Sequence, residues 1–246
     1  KIDETILERY DENIKSYVNH INSVRTEKIN LKYFQYLAVL FTEIYFDNEH
    51  NNPNFLSDLN SFANENDKFN FKDSDLTKLA YWMATGSGKT LIMHINYLQF
   101  HQYNKKSLDN IILITPSKDM SKQHLEELKK SNISAQIFDP SNPAQELIQV
   151  LDIHKLTEEK KGQGVTVEVS SFEGNNLIFV DEGHKGFSGK KWKNLRDQIS
   201  KIGFTFEYSA TFDEAIPSQN DQLMEEYSKA IIFDYSYHFF YYDGYG

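Results

Sequence analysis

The sequence has no cysteine, which excludes disulfides and thiolate metal sites. No apolar run approaches the roughly 18 residues needed to cross a bilayer, so no membrane association is expected. The opening at Lys1 is acidic and amphipathic and lacks the pattern of a signal peptide, and a cytoplasmic location is expected. Positive charge is scarce. Twenty-six Lys and Arg against 36 Asp and Glu give a net charge of −10, which argues against a free-standing nucleic-acid binder with a basic face. Backbone N–H groups and hydroxyls can still contact phosphates without that charge. There is no internal repeat and no low-complexity segment.

What remains is the composition of a globular protein: 39% hydrophobic and 25% charged residues over 246 positions, enough for one or two domains. Apolar spacings of three and four among Ile2, Ile6, Leu7, Tyr10, Ile14, Tyr17, Val18, Ile21 and Val24 predict an amphipathic helix over 2–24. A second helix is expected over 31–47, with Phe34, Leu37, Ala38, Phe41 and Ile44 inward, then a weaker one from 55 to 62. Residues 64–75 read as a polar linker, so residues 1–75 form a helical N-terminal region and 76–246 a second unit. In that unit strands and helices alternate. Strands are expected near 79–83 and over 110–115, 135–138, 165–169, 176–180, 204–208 and 230–235. Helices are expected over 91–98, 118–130 (Met120, Leu125 and Leu128 inward), from Pro143 towards Leu151, over 192–202 and over 219–229. Residues 158–164 read as an exposed loop. Such alternation predicts an α/β fold whose mostly parallel sheet carries helices on both faces and binds ligands at the C-terminal strand ends.

Three segments at such ends carry chemistry. Met83-Ala84-Thr85-Gly86-Ser87-Gly88-Lys89-Thr90 lies between an apolar run and a helical pattern. Glycines there let backbone N–H groups converge on an anion at a helix N-terminus. Lys89 can reach the β- and γ-phosphates and the Thr90 hydroxyl can ligate Mg²⁺. Met83 stands where the general phosphate-loop pattern asks for glycine. The strand Leu177-Ile178-Phe179-Val180 ends in Asp181-Glu182-Gly183-His184. Asp181 can hold Mg²⁺ opposite Thr90, and Glu182 can accept a proton from an attacking water. The third segment, Ser209-Ala210-Thr211, ends another strand, where small hydroxyl residues can bond the acidic loop and sense the γ-phosphate.

In this order the three segments resemble motifs I, II and III of superfamily 2 DEAD/DEAH-box helicases, in particular the type III restriction enzyme Res-subunit motors, where Met before Ala-Thr-Gly is common. The resemblance covers about residues 30–246. It implies a first RecA-like P-loop NTPase domain that binds ATP and Mg²⁺, with catalytic Lys89, Asp181 and Glu182 and a nucleotide loop of Gly86, Ser87, Gly88, Lys89 and Thr90. It further implies that Gln35 reads adenine and that His184, Ser209, Ala210 and Thr211 couple the ATP site to the motor. Thr115 and Ser117, placed like motif Ia, would touch a nucleic-acid backbone, DNA rather than RNA. Asp243-Gly244-Tyr245-Gly246 resembles the lead-in to a second RecA-like domain. That domain is expected as a partner outside this chain, as is a methylase or specificity subunit, and the chain alone is expected to bind and hydrolyse ATP weakly. The function implied is the N-terminal half of an ATP-dependent DNA translocase or helicase of a restriction or phage-defence system. An ATP-controlled switch module without translocation is the alternative, and a small-molecule kinase is disfavoured by Ser209-Ala210-Thr211 beside Asp181-Glu182-Gly183-His184.

Overall fold

In the computed structural model, residues 3–66, 70–140, 146–157, 167–168, 172–182, 198–212 and 221–245 are described. Seven parallel strands form one sheet in the order β3-β4-β2-β7-β8-β1-β9. These are β1 (Lys78–Met83), β2 (Asn110–Thr115), β3 (Ala135–Ile137), β4 (Ile148–Asp152), β7 (Asn176–Asp181), β8 (Gly203–Ser209) and β9 (Ile231–Tyr235). A separate pair, β5 (Leu156–Thr157) and β6 (Val167–Glu168), stands apart. The helices are α1 (Glu4–Asn22), α2 (Tyr33–Asn51), α3 (Phe55–Asn66), α4 (Lys89–Tyr103), α5 (Lys118–Lys130), α6 (Asp221–Ala230) and α7 (Tyr237–Tyr242).

The central strands are largely apolar because both faces of the sheet are covered, and their period of two assigns each residue to a face. Ile111, Leu113, Leu177, Phe179, Phe206 and Tyr208 face a core shared with α1, α2 and α4. Ile112, Ile114, Ile178 and Val180 face a second core with Phe138, Leu151 and Phe172. On that same side Ala80 packs with Phe212, Tyr227 and Ala230 of α6. The N-terminal helices are therefore one layer of the sheet's covering. Ile14, Tyr17 and Ile21 of α1 belong to the same core as Leu79 and Tyr81 of β1.

The expected helix from Pro143 towards Leu151 is corrected: Ile148–Asp152 is β4, paired in parallel with β3 on one side and β2 on the other. An apolar run of four or five residues fits either element, and here the ladders on both sides take its backbone groups. The α2 stripe is also rotated from expectation. Phe41 is exposed, whereas Gln35, Thr42 and Glu43 are buried beside Phe34, Ala38 and Val39. On α5 the buried residues are Ser121, His124 and Leu128, with Met120 and Leu125 only half-buried. The linker expected over 64–75 is shorter, since α3 runs to Asn66 and Asp73–Thr77 is a 3-10 turn. Helix α4 continues to Tyr103, and α7 was not expected. The loop 158–164 lies outside the described residues, as do most of the strand expected over 165–169 and of the helix over 192–202.

Candidate nucleotide site

Because every strand of the large sheet is parallel, the loops after β1, β7 and β8 emerge at one edge. Register sets them side by side: Trp82 pairs with Ser209, and Asp181 with Tyr208. Motifs about a hundred residues apart in sequence thus meet without any long connection between them.

The loop after β1 is built on backbone only glycine adopts without strain. Gly86 and Gly88 have φ of 83° and 93°. Gly88 caps α4, and the Ser87 N–H closes the turn onto the Ala84 carbonyl at 3.1 Å. The crest at Thr85 and Gly86 is open to solvent, while Ser87 is buried with its hydroxyl unpartnered. Gln35 supports the loop from α2. Its side-chain amide donates to the Ser87 carbonyl at 2.8 Å and its oxygen accepts from the Lys32 N–H at 3.0 Å. A Cβ at Gly88 would lie 2.4 Å from the Gln35 nitrogen, so the two positions are matched. Both ends of the Gln35 amide are thereby engaged within the protein.

Lys89 and Glu182 meet at the centre. The Lys89 ammonium lies 3.0 Å from Glu182 Oε1 and donates to the Met83 carbonyl at 3.2 Å. Glu182 has a φ of 49°, uncommon for a side-chain-bearing residue, and such backbone clusters at functional sites. Its other partners are the third segment. Ser209 Oγ donates to Oε2 and the Ala210 N–H to Oε1, each at 3.1 Å, and the Thr211 N–H bonds Ser209 Oγ at 3.1 Å. The indole of Trp82 donates to the Ala210 carbonyl at 3.1 Å. One carboxylate therefore ties the phosphate-loop lysine to the end of β8.

Asp181 stands beside Glu182, buried, with Oδ2 accepting from His124 Nε2 at 2.8 Å. His124 is not among the residues singled out from the sequence. Its signal was its place between Ser121 and Leu128 at helical spacing. Thr115 is placed less favourably than expected for a nucleic-acid contact. It is buried, with its hydroxyl 2.6 Å from Ser121 Oγ and donating to the Ser117 carbonyl. Ser117 caps α5, accepting from the Met120 N–H at 3.3 Å. His184 lies outside the described residues. Beside the phosphate loop, Phe34 stacks on Tyr235 at 4.1 Å and Asp243 accepts from the hydroxyls of Tyr33 and Tyr235. The segment expected to lead onward thus packs against the start of α2.

The residues fit a magnesium nucleotide. Among the described residues no cluster of three His, Asp or Glu could cage a metal, and Mg²⁺ characteristically takes one or two carboxylates and completes its shell from phosphate oxygens and water. Thr90 in the first turn of α4 and Asp181 supply that minimal set, and the unpartnered Ser87 hydroxyl lies within the loop that would cradle the phosphates.

Comparison with known proteins agrees with this geometry. The model of the type III restriction enzyme res subunit family matches residues 56–214, well over half of the chain. The chain belongs to that family. It carries a helicase-like domain of superfamily 2, a family that generally uses a nucleotide and a divalent metal. A Sulfolobus solfataricus SWI2/SNF2 ATPase core, solved in complex with dsDNA, superposes with a TM-score of 0.50 at 14% identity over 84% of this chain. At that identity the likeness shows the fold, which is RecA-like. The chain spans 37% of the length of that structure. A search of the curated proteins finds no match. No helix among the described residues is long and apolar enough to cross a membrane.

Proposed function

We propose that the chain is the first ATP-binding half of a DNA translocase or helicase acting in the cytoplasm, in a restriction or phage-defence system with a methylase or specificity subunit. The observation that carries this reading is the joining of Lys89, Glu182, Ser209 and Ala210 through single contacts of about 3 Å. A lysine that neutralises phosphates, a base for water and a nucleotide-sensing strand end are thereby one unit. The dsDNA held by the SWI2/SNF2 core supports DNA as the track.

In this reading the backbone N–H groups at Gly86–Lys89 bind the phosphates, and Lys89 leaves Glu182 for the β- and γ-phosphates. When bound, Mg²⁺ supplies charge neutralisation between those phosphates, with Thr90 and Asp181 as its protein ligands. Glu182, released from Lys89, orients water and takes its proton. Ser209 and Ala210, hydrogen-bonded to Glu182 at rest, register that release and pass it to the rest of the motor, with His184 as a further coupling residue. Gln35, which holds the loop at rest, would read adenine after exchanging one of those bonds. On the DNA side, Ser117 is better placed than Thr115 to meet a backbone phosphate.

ATP turnover by the full-length protein with and without duplex DNA tests this. Lys89→Ala and Glu182→Gln are each expected to abolish DNA-stimulated turnover, the second by a factor of about 10²–10⁴. Retained stimulation in both variants overturns the mechanism. Turnover that ignores DNA in the wild type favours the switch module instead, a reading the net charge of −10 supports.

A further inference from the structure

Behind Asp181 runs a line of buried polar side chains to which the mechanism above assigns no role. His124 Nε2 lies 2.8 Å from Asp181 Oδ2. A carboxylate oxygen accepts, so His124 carries a proton on Nε2. Its Nδ1 is buried and has no partner. On the neighbouring helix α4, His94 Nδ1 lies 2.8 Å from Ser131 Oγ, which accepts from Arg25 Nη2 at 2.8 Å. His94 Nε2 is also buried and without a partner.

His94 and His124 stand on the packed helices α4 and α5. Burial first, then His124 and Arg25, push His94 down to about 3, which keeps it neutral. Two buried hydrogen-bonded sets thus lie on these helices, Arg25 with Ser131 and His94, and His124 with Asp181.

We propose that His124 is a positioning residue for the metal-ligating carboxylate of Asp181. It holds Asp181 by one oxygen and leaves the other for the cation. This inference rests on the assignment of Asp181 as a magnesium ligand in an ATP site. Outer partners that orient metal-binding carboxylates typically contribute 10–100-fold in metal affinity.

The test is the Mg²⁺ concentration giving half-maximal binding of a non-hydrolysable fluorescent ATP analogue to the full chain, with a parallel titration in EDTA. His124→Leu is expected to raise that midpoint about 10–100-fold and to leave metal-free nucleotide affinity unchanged. His124→Gln, whose amide can donate to the same oxygen, recovers most of the loss. His124→Phe, which keeps a ring and has no donor, moves the midpoint in the same direction, and it decides the matter if His124→Leu does not fold. An unchanged or lowered midpoint in the deciding variant overturns the positioning role. Absence of Mg²⁺-dependent binding in the wild type instead overturns the ATP-site reading itself.

Discussion

Histidine 94 shows how a single residue can make this fold sensitive to acid. Its folded pKa lies near 3 because the ring is buried and faces His124 and Arg25. In the unfolded chain the value returns to about 6.5. Below that pH the unfolded state binds a proton that the folded state refuses. The stability this site provides is therefore fully present above about 6.5 and drains as pH falls towards 3. Between pH 7 and 5 the loss from this site amounts to about 2 kcal/mol. His94→Gln, which cannot take up that proton, is expected to lose about that much less over the same interval, as measured by urea unfolding at the two pH values. Equal losses in variant and wild type would show that His94 titrates normally. None of this was legible in the sequence, where His94 is one polar residue in an otherwise apolar helix start. The phosphate loop, Asp181-Glu182 and Ser209-Ala210-Thr211 were legible because their chemistry demands fixed residue types at strand ends. His124 was not, because a helix-face histidine looks solvated until the opposing Asp181 is seen. Thr115 was identifiable by position but not by burial, which Ser121 and the Ser117 carbonyl impose.

At the scale of the element, α2 departs most from its sequence pattern. Glu43 is fully buried and accepts from Asn13 at 2.7 Å, Tyr17 at 3.3 Å, Gln99 at 2.7 Å and Tyr103 at 2.9 Å. These donors come from α1 and α4, so one carboxylate clamps three helices. Burial and the Glu43 charge push the Tyr17 hydroxyl well above its usual range, keeping it protonated as a donor. Apolar periodicity cannot find such a residue, since polarity at an inward position counts against the stripe. Glu43→Ala strands two buried donors and two half-buried ones and is expected to cost about 2–4 kcal/mol of unfolding free energy. A loss under about 1 kcal/mol in urea titration would show that water reaches those donors. Strand β4 was missed for a related reason. Its short run of Ile148, Val150 and Leu151 has no period long enough to separate strand from helix, and only the β2 and β3 ladders decide it. Strands β2, β7 and β8 were clear because apolar runs bounded by polar residues repeat at the length of a sheet crossing.

For the molecule as a whole, parallel topology gathers the loops after β1, β7 and β8 at one edge, and among the described residues no arginine joins them there. The sequence holds three arginines. Arg9 pairs with Asp47, Arg25 donates to Ser131, and Arg196 lies outside the described residues. Neither described arginine approaches Glu182. Arginines that stabilise phosphoryl transfer contribute about 10³–10⁵ in rate. We therefore expect these 246 residues to bind magnesium ATP but to turn it over at least about 10³-fold more slowly than an assembly that supplies an arginine across the cleft. Single-turnover hydrolysis by the chain, compared with the full-length protein, checks this. Comparable rates would place the missing charge within the chain.

The bond from the Trp82 indole to the Ala210 carbonyl has an optical consequence. The sequence contains two tryptophans, and replacing Trp192 by Phe would leave one emitter at the joint between the β1 and β8 strand ends. Its spectrum would then follow Ala210 as Glu182 changes partners, giving a label-free clock for the nucleotide cycle. The lack of cysteine leaves every other position open to a single introduced thiol as the energy-transfer acceptor.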